Sequence, residues 1–323
     1  MIRGNLSLVF PGQGSQKPKM LSIFFENSKF KDTFKEASSI IGIDLIDLVN
    51  NSDKDVLAKT EITQPLMLTA GIAMWRILPP KLISKIKFLA GHSLGEFSAL
   101  VAANSISFEN GLNLVTQRAK FMQEAVPLGK GGIAAIVGLP LTIIHDTCNK
   151  ISTKNNDLLV SPANLNSPNQ TVISGTKQGI DLAINQLKEQ GAKMAVSLPM
   201  SVPAHCSLMT EASEKFALLL ESLSLKEPSI PIIQNVTAQK HYQVNEIKDN
   251  LSKHLYSPVK WLDTILLLKA QKIKTILECG PGKVLSNLNK QIFSEKKSGH
   301  SFFVKKYDSS IYEGFRAIRA LER

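Results

Sequence analysis

Hydrophobic positions along this chain fall into short continuous apolar runs that alternate with stretches of helical spacing. The run at 6–10 reads as a buried β-strand, broken by Pro11-Gly12-Gln13-Gly14. Helical periodicity follows over 28–40 and 64–78, the second ending at Pro79-Pro80, and an apolar run at 86–90 leads through a tight turn into a helix-like stretch ending at 103. A helix over 110–125 stops before Pro127. The spacing then changes, and 133–198 predicts strand 133–137, helix 141–150, strands 158–163 and 170–174, helix 177–190 and strand 193–198. That β-α-β-β-α-β order is the signature of a small ferredoxin-like unit. Beyond it come a predicted helix over 207–223, an extended stretch at 230–235, a helical segment over 258–270 and a buried strand at 275–278. Strands alternating with helices on both sides of the small unit imply a parallel sheet in an α/β main body. The expected organisation is a body from 1–127 and 199–323 interrupted by the small unit at 128–198.

The turn between the apolar run at 86–90 and the next helix is Gly91-His92-Ser93-Leu94-Gly95. A serine at a tight strand-to-helix turn projects Oγ away from the backbone, and the following helix aims N–H groups at the same spot. The bare G-x-S-x-G pattern is common in ordinary turns; its position between strand and helix makes Ser93 a candidate nucleophile.

Composition adds few constraints. The chain has 323 residues, 43% hydrophobic and 20% charged, enough for a sizeable core and an inserted unit. No apolar run approaches the roughly 18 to 20 residues of a membrane span, and the first ten residues lack a secretory h-region, so a cytoplasmic protein without membrane association is expected. Cys148, Cys206 and Cys279 are widely spaced, with no C-x-x-C, and indicate neither a disulfide framework nor a metal site. Lys and Arg total 38 against 27 Asp and Glu, a net charge of +11 that favours acidic or phosphorylated partners. Aromatics are only 6% and the lysines are scattered, which speaks against nucleic acid.

A serine needs a base to take its proton, and the histidines at 92, 145, 205, 241, 254 and 300 are the choices. His205 is the strongest, because it follows the Pro199 to Pro203 segment where the small unit returns to the body, and pockets form at such rims. A loop histidine is as readily a packing residue, so both readings stay open. An oxyanion hole needs two fixed N–H donors. Leu94 N–H, just after the serine, is one, and the loop 11–14 after the first strand is suited to the other, although it also reads as a simple turn. Arg118, on the helix after the elbow helix, is commonly a surface residue, but a guanidinium is well shaped to hold a carboxylate. No glycine-rich segment has the spacing of a P-loop or dinucleotide fingerprint.

Several segments together resemble one family, the malonyl-CoA:acyl-carrier-protein transacylases of type II fatty acid synthesis. They are Phe10-Pro11-Gly12-Gln13-Gly14-Ser15-Gln16, Thr63-Gln64-Pro65, Gly91-His92-Ser93-Leu94-Gly95-Glu96, Arg118 with Phe121-Met122-Gln123-Glu124, 164–170, Val202-Pro203-Ala204-His205-Cys206 and Gly280-Pro281-Gly282. Their joint occurrence in family order is far more specific than the pentapeptide. The resemblance implies an α/β-hydrolase-like body with an inserted ferredoxin-like subdomain. It further implies that Ser93 is acylated, His205 is general base and acid, Gln13 and Leu94 supply backbone oxyanion donors, and Arg118 binds the malonyl carboxylate. Gln64, Met122, Asn164 and Val202 are expected to line the pocket. The family orients its histidine with a backbone carbonyl, from a position that is usually glutamine and is His254 here.

Malonyl-CoA and the phosphopantetheine of holo-acyl carrier protein are the implied substrates in a ping-pong exchange, with no bound cofactor or metal, an acidic carrier protein as partner and a monomeric enzyme. The net charge then has a use, since carrier proteins are acidic and CoA carries phosphates. Two rivals are a hydrolase on the same scaffold and a non-catalytic carrier-protein docking module.

Overall fold

Strand β1 (Leu6–Phe10) has all five residues buried, as expected of a strand covered on both faces. The computed structural model describes residues 5–154, 157–200, 202–294 and 303–306. Strand β2 is Ile86–Gly91, and β3 to β6 are Gly131–Val137, Val160–Ser167, Gln170–Thr176 and Met194–Ser197. Strands β7 to β10 are Ile232–Ile233, Lys240–His241, Thr275–Glu278 and Phe303–Lys306. The main sheet has the order β10-β9-β1-β2-β7-β8, and every pair in it is parallel except β7 with β8. The second sheet, β4-β5-β3-β6, is antiparallel throughout, and its strands and two helices follow the predicted β-α-β-β-α-β order.

Side chains alternate across β1, so Leu6, Leu8 and Phe10 enter one core while Val9 enters the other. The larger core holds helix Thr60–Arg76, in which every residue over 63–74 is buried. Helix Phe108–Ala125 packs against it with a buried stripe that includes Gly111, Val115, Arg118 and Met122. Ser107 starts that helix by accepting a hydrogen bond from the Asn110 N–H at 3.1 Å. The segment before the helix that starts at Trp261 attaches to β4 of the small sheet, where Val259 N–H donates to Ala163 O at 2.8 Å and Leu165 N–H donates to Val259 O at 2.9 Å.

Element boundaries differ from the sequence expectation for identifiable reasons. The helix expected at 258–270 begins at Trp261, because Val259 before it is extended and bridges to Asn164 of β4. The helix expected at 64–78 begins at Thr60, so Pro65 lies inside it, its missing N–H tolerated within a buried helix. The segment 207–223 splits into a 3₁₀ turn, Ser207–Met209, and a helix, Thr210–Ser222. Only Ile232–Ile233 of the extended stretch 230–235 pairs as a strand. Helices Leu45–Asn51, Lys54–Ala58, Val244–Lys253 and Val284–Ser294 were not anticipated; the first two are too short for a 3.6-residue period to register. No helix among the described residues is long and apolar enough to cross a membrane.

A Cβ on Gly95, at the start of the elbow helix, would run into the Phe10 carbonyl. Gly95→Ala is therefore expected to cost about 3 kcal/mol in urea unfolding. A loss under about 1 kcal/mol would show that the elbow and β1 can separate.

Candidate active site

Ser93 sits between β2 and helix Gly95–Ala102 with φ of +51°, in the left-handed region that non-glycine residues rarely occupy. Its N–H donates to Asn235 Oδ1 at 2.7 Å, and Asn235 Nδ2 donates to Gly91 O at 2.6 Å, so one carboxamide ties the two sides of the turn. Ser93 Oγ lies 2.7 Å from His205 Nε2. His205 is buried and also left-handed, with φ of +65°. Its Nδ1–H donates to the His254 carbonyl at 2.8 Å, with the Ser257 carbonyl at 3.2 Å. Two carbonyl acceptors on Nδ1 place the ring proton there, which leaves Nε2 free to accept from the serine. Burial, with the charge of Arg118 adding to it, pushes the His205 pKa down to about 3, so the ring is neutral at neutral pH and Nε2 carries no proton of its own.

The pair opens into a cavity of about 380 Å³ between the two sheets. Gln13, Gln64, Leu94, Arg118, Met122 and Asn164 all line it. Gly12 lets the loop after β1 close on the elbow, because a Cβ there would collide with the His92 carbonyl. Among the described residues, neither Gln13 N–H nor Leu94 N–H donates to a protein acceptor. Two such donors beside a serine hydroxyl can hold a developing oxyanion.

Arg118 is almost fully buried and reaches the cavity from the stripe of its helix. Nη1 donates to Gln64 Oε1 at 2.7 Å, and the guanidinium lies 5.4 Å from the centre of the Phe97 ring. Nε and Nη2 have no hydrogen-bond partner. Burial lowers the Arg118 pKa to about 10, with Glu96 pulling the other way, so it stays charged. Glu96 is itself buried and pushed up to about 7, although Asn235 N–H at 2.8 Å and Gln234 Nε2 at 3.1 Å both donate to it.

The pattern describing the acyl transferase domain matches residues 7–305. The chain belongs to the acyl transferase family. It is 42% identical over 287 residues to the malonyl CoA-acyl carrier protein transacylase of Salmonella typhimurium, covering 88% of this chain and 92% of that one. The corresponding Bacillus subtilis protein is 41% identical over 288 residues, covering 89% and 90%. Among solved structures, FabD from Acinetobacter baumannii superposes with a TM-score of 0.88 at 41% identity, covering all of both chains. The malonyl-transacylase PlMCAT, solved in complex with the type II PKS acyl-carrier protein AntF, gives 0.88 at 37% identity, covering 96% of this chain and 98% of that one. The α/β architecture is that of these neighbours.

One expectation needs adjusting within this acyl transferase scaffold. Val202 does not line the cavity; it packs into the larger hydrophobic core on the chain leading to His205. His254 is fully buried behind His205, their ring centres 5.1 Å apart, and contributes its carbonyl from there. His92 lines the cavity and joins Asn166 through Nε2 at 2.8 Å, while its ring lies 5.4 Å from that of Trp261. His145 contacts Asn149 and Asp146, and His241 contacts Thr237 and Glu246. His300 lies outside the described residues. Sequence reasoning missed Asn235 and Glu96 as supports of the elbow. Glu96 left a signal, a carboxylate within a helix whose every residue is buried.

The buried histidines make a testable pH dependence. His92, His205 and His254 all have pKa values held below the ordinary 6.5, chiefly by burial. The unfolded chain therefore takes up protons that the fold refuses, and these groups remove stability as the pH drops below 6.5. Glu96 acts oppositely, since its raised pKa adds stability at low pH that is lost as pH rises through about 7. Replacing His254 by glutamine removes one acid-sensitive group. The fall in unfolding free energy from pH 7.5 to 5.5, measured in urea, is expected to shrink by about 1.4 kcal/mol in His254→Gln. Equal falls in both proteins would mean that His254 protonates within the fold.

Proposed function

We propose that this chain is a malonyl-CoA:acyl-carrier-protein S-malonyltransferase of fatty acid biosynthesis, carrying malonyl as an ester on Ser93. The observation that bears most weight is the buried Arg118 fork, whose Nε and Nη2 lack partners in the cavity that holds Ser93 and His205. A buried cation with two unused donors is costly unless an anion completes it, and malonyl differs from acetyl by one carboxylate. The names of the relatives, malonyl transacylases at about 40% identity over most of the chain, agree.

In this reading malonyl-CoA enters with its free carboxylate on Arg118. Ser93 Oγ attacks the thioester carbonyl while His205 Nε2 accepts the hydroxyl proton. Charge develops on the carbonyl oxygen, facing the Gln13 and Leu94 N–H groups. The intermediate collapses, the C–S bond breaks, and His205 returns its proton to the CoA sulfur. The phosphopantetheine thiol of the carrier protein then gives His205 a proton, attacks the ester carbon, and leaves with malonyl as Ser93 recovers its hydrogen. The Nδ1–H to carbonyl bond orients the imidazole, so the serine works with a histidine and no carboxylate partner. CoA and the carrier protein act as substrates, the carrier protein being the macromolecular partner. The reading places the enzyme in the cytoplasm as a monomer, without nucleic-acid or membrane partners. It also divides the chain into a body, 1–127 with 199–323, and a small unit, 128–198; residues 1–4, 201, 295–302 and 307–323 of that body and 155–156 of the small unit lie outside the described residues.

A hydrolase acting on neutral acyl groups would leave the Arg118 fork unpaired. Incubation with malonyl-CoA should give a malonyl adduct by intact-protein mass, absent in Ser93→Ala. Arg118→Ala is expected to lower malonyl transfer on the order of hundredfold relative to acetyl transfer. If malonyl and acetyl transfer fall equally, Arg118 does not hold the carboxylate.

A further inference from the structure

We infer that Asn235 and the side chain of His254 are positioning residues that set the geometry of the Ser93–His205 pair by closing a ring of hydrogen bonds through all four residues. The inference rests on the reading above for which groups react. The ring runs from Ser93 Oγ to His205 Nε2 at 2.7 Å and from His205 Nδ1 to the His254 carbonyl at 2.8 Å. It continues from His254 Nε2 to Asn235 Oδ1 at 3.3 Å and returns from Asn235 Oδ1 to Ser93 N–H at 2.7 Å. Asn235 and His254 are both fully buried.

Donor and acceptor roles around the ring are fixed by elimination. The Gly91 carbonyl can only accept, so Asn235 must turn Nδ2 toward it, and Oδ1 then meets the Ser93 N–H. Oδ1 is an acceptor, so His254 must present Nε2–H, which leaves its Nδ1 unprotonated. That Nδ1 is the buried ring nitrogen without a hydrogen-bond partner. Only a planar group with a donor and an acceptor side by side serves the Gly91 carbonyl and the Ser93 N–H together; aspartate would set an oxygen against the Gly91 carbonyl.

The ring has a reason to exist. Ser93 and His205 both hold left-handed backbone conformations, and such residues persist only where their surroundings over-determine them. Asn235 is anchored in turn: its N–H donates to Glu96 Oε2 at 2.8 Å, and its carbonyl accepts from Lys260 N–H at 3.1 Å. Because Asn235 occupies the Ser93 N–H, that donor is withdrawn from the cavity, and Leu94 N–H is the elbow donor left to face a substrate oxygen.

The test compares Asn235→Ala, Asn235→Asp, His254→Leu, His254→Gln and the Asn235→Ala/His254→Leu double variant in the full chain. Two rates are read: malonyl adduct formation, and labelling by an alkyl fluorophosphonate. In the second, Ser93 Oγ bonds to phosphorus, fluoride leaves and His205 takes the proton, with no malonyl recognition required. Asn235→Ala and Asn235→Asp are expected to slow both rates about hundredfold, with the KM for malonyl-CoA within twofold of the parent. His254→Leu should slow both about tenfold, and His254→Gln, whose amide N–H can still reach Asn235, should recover most of that loss. The double variant should be no slower than Asn235→Ala, because both changes break the same ring. Folded Asn235→Ala and His254→Leu proteins that label at the parent rate, with only their melting temperatures lowered, would overturn the proposal. So would a double variant whose loss is the product of the single losses. If the parent forms no malonyl adduct while fluorophosphonate labelling slows in these variants, the malonyl reading falls and the ring stands.

Discussion

The parallel pairing of β1 with β2 is the constraint on which the site depends. Its register sets Phe10 opposite Gly91, and His92 N–H donates to the Phe10 carbonyl at 2.9 Å just past the strand ends. Parallel neighbours finish at the same edge of a sheet, so the loop after β1 and the elbow after β2 emerge side by side. Glycines at 12 and 95 allow the contact, since a side chain at either would strike the backbone of the other segment. An antiparallel pair would have sent these loops to opposite edges. Every other component arrives at this edge from elsewhere: His205 from the segment following the small sheet, Arg118 from the helix over 108–125, and Asn235 from the end of β7.

One buried charge shapes the electrostatics of the whole cavity. Arg118 helps hold the His205 pKa down, and in doing so keeps the imidazole neutral before substrate arrives. Its attraction for Glu96 partly relieves both buried groups, yet Glu96 hydrogen-bonds to Asn235 and Gln234, and only Gln64 contacts the guanidinium directly in this network. The Glu96 carboxyl, its pKa pushed up to about 7, sits behind the elbow, while Nε and Nη2 of the guanidinium have no hydrogen-bond partner. A direct bidentate pair with Glu96 would have stabilised both groups and left no fork to recognise anything.

Much of this arrangement was legible in the chain because it is local. A strand, a glycine-bounded serine and a helix follow one another within 86–102, and the small unit announces itself by element order. Arg118 was readable as a candidate because a guanidinium suits a carboxylate and its helix follows the elbow helix; its place in the buried stripe of 111, 115, 118 and 122 is what the fold adds. The contributions of Asn235 and of the His254 side chain were not, because each depends on long-range closure. Asn235 is 142 positions from Ser93, and nothing local distinguishes it from a turn asparagine. Val202 was misplaced for the complementary reason: adjacency to a site residue in sequence does not determine which side of the chain faces the cavity.

Exchange of one thioester for another is nearly balanced in free energy, so the site has little driving force to supply and must instead lower the barrier and discriminate between thiol and water. Preorganised N–H donors and a neutral base address the barrier without distinguishing the acceptor. Discrimination has to come from the remaining walls. The small sheet contributes Ile133, Ala135 and Val172 together with the carboxamides of Asn164, Asn166 and Gln170, and the chain after it adds Leu198 and Met200, so this wall sets apolar side chains among polar ones. If the carboxylate takes Arg118, as proposed above, an acceptor approaches along the wall that the small sheet and the chain after it provide. A thiol on a long, partly apolar arm buries surface against Ile133, Ala135, Val172 and Leu198, a gain that a water molecule does not share. In the reading proposed above, the inserted unit therefore does more than roof the nucleophile: its apolar side chains give a pantetheine-like arm contacts that a water molecule cannot make.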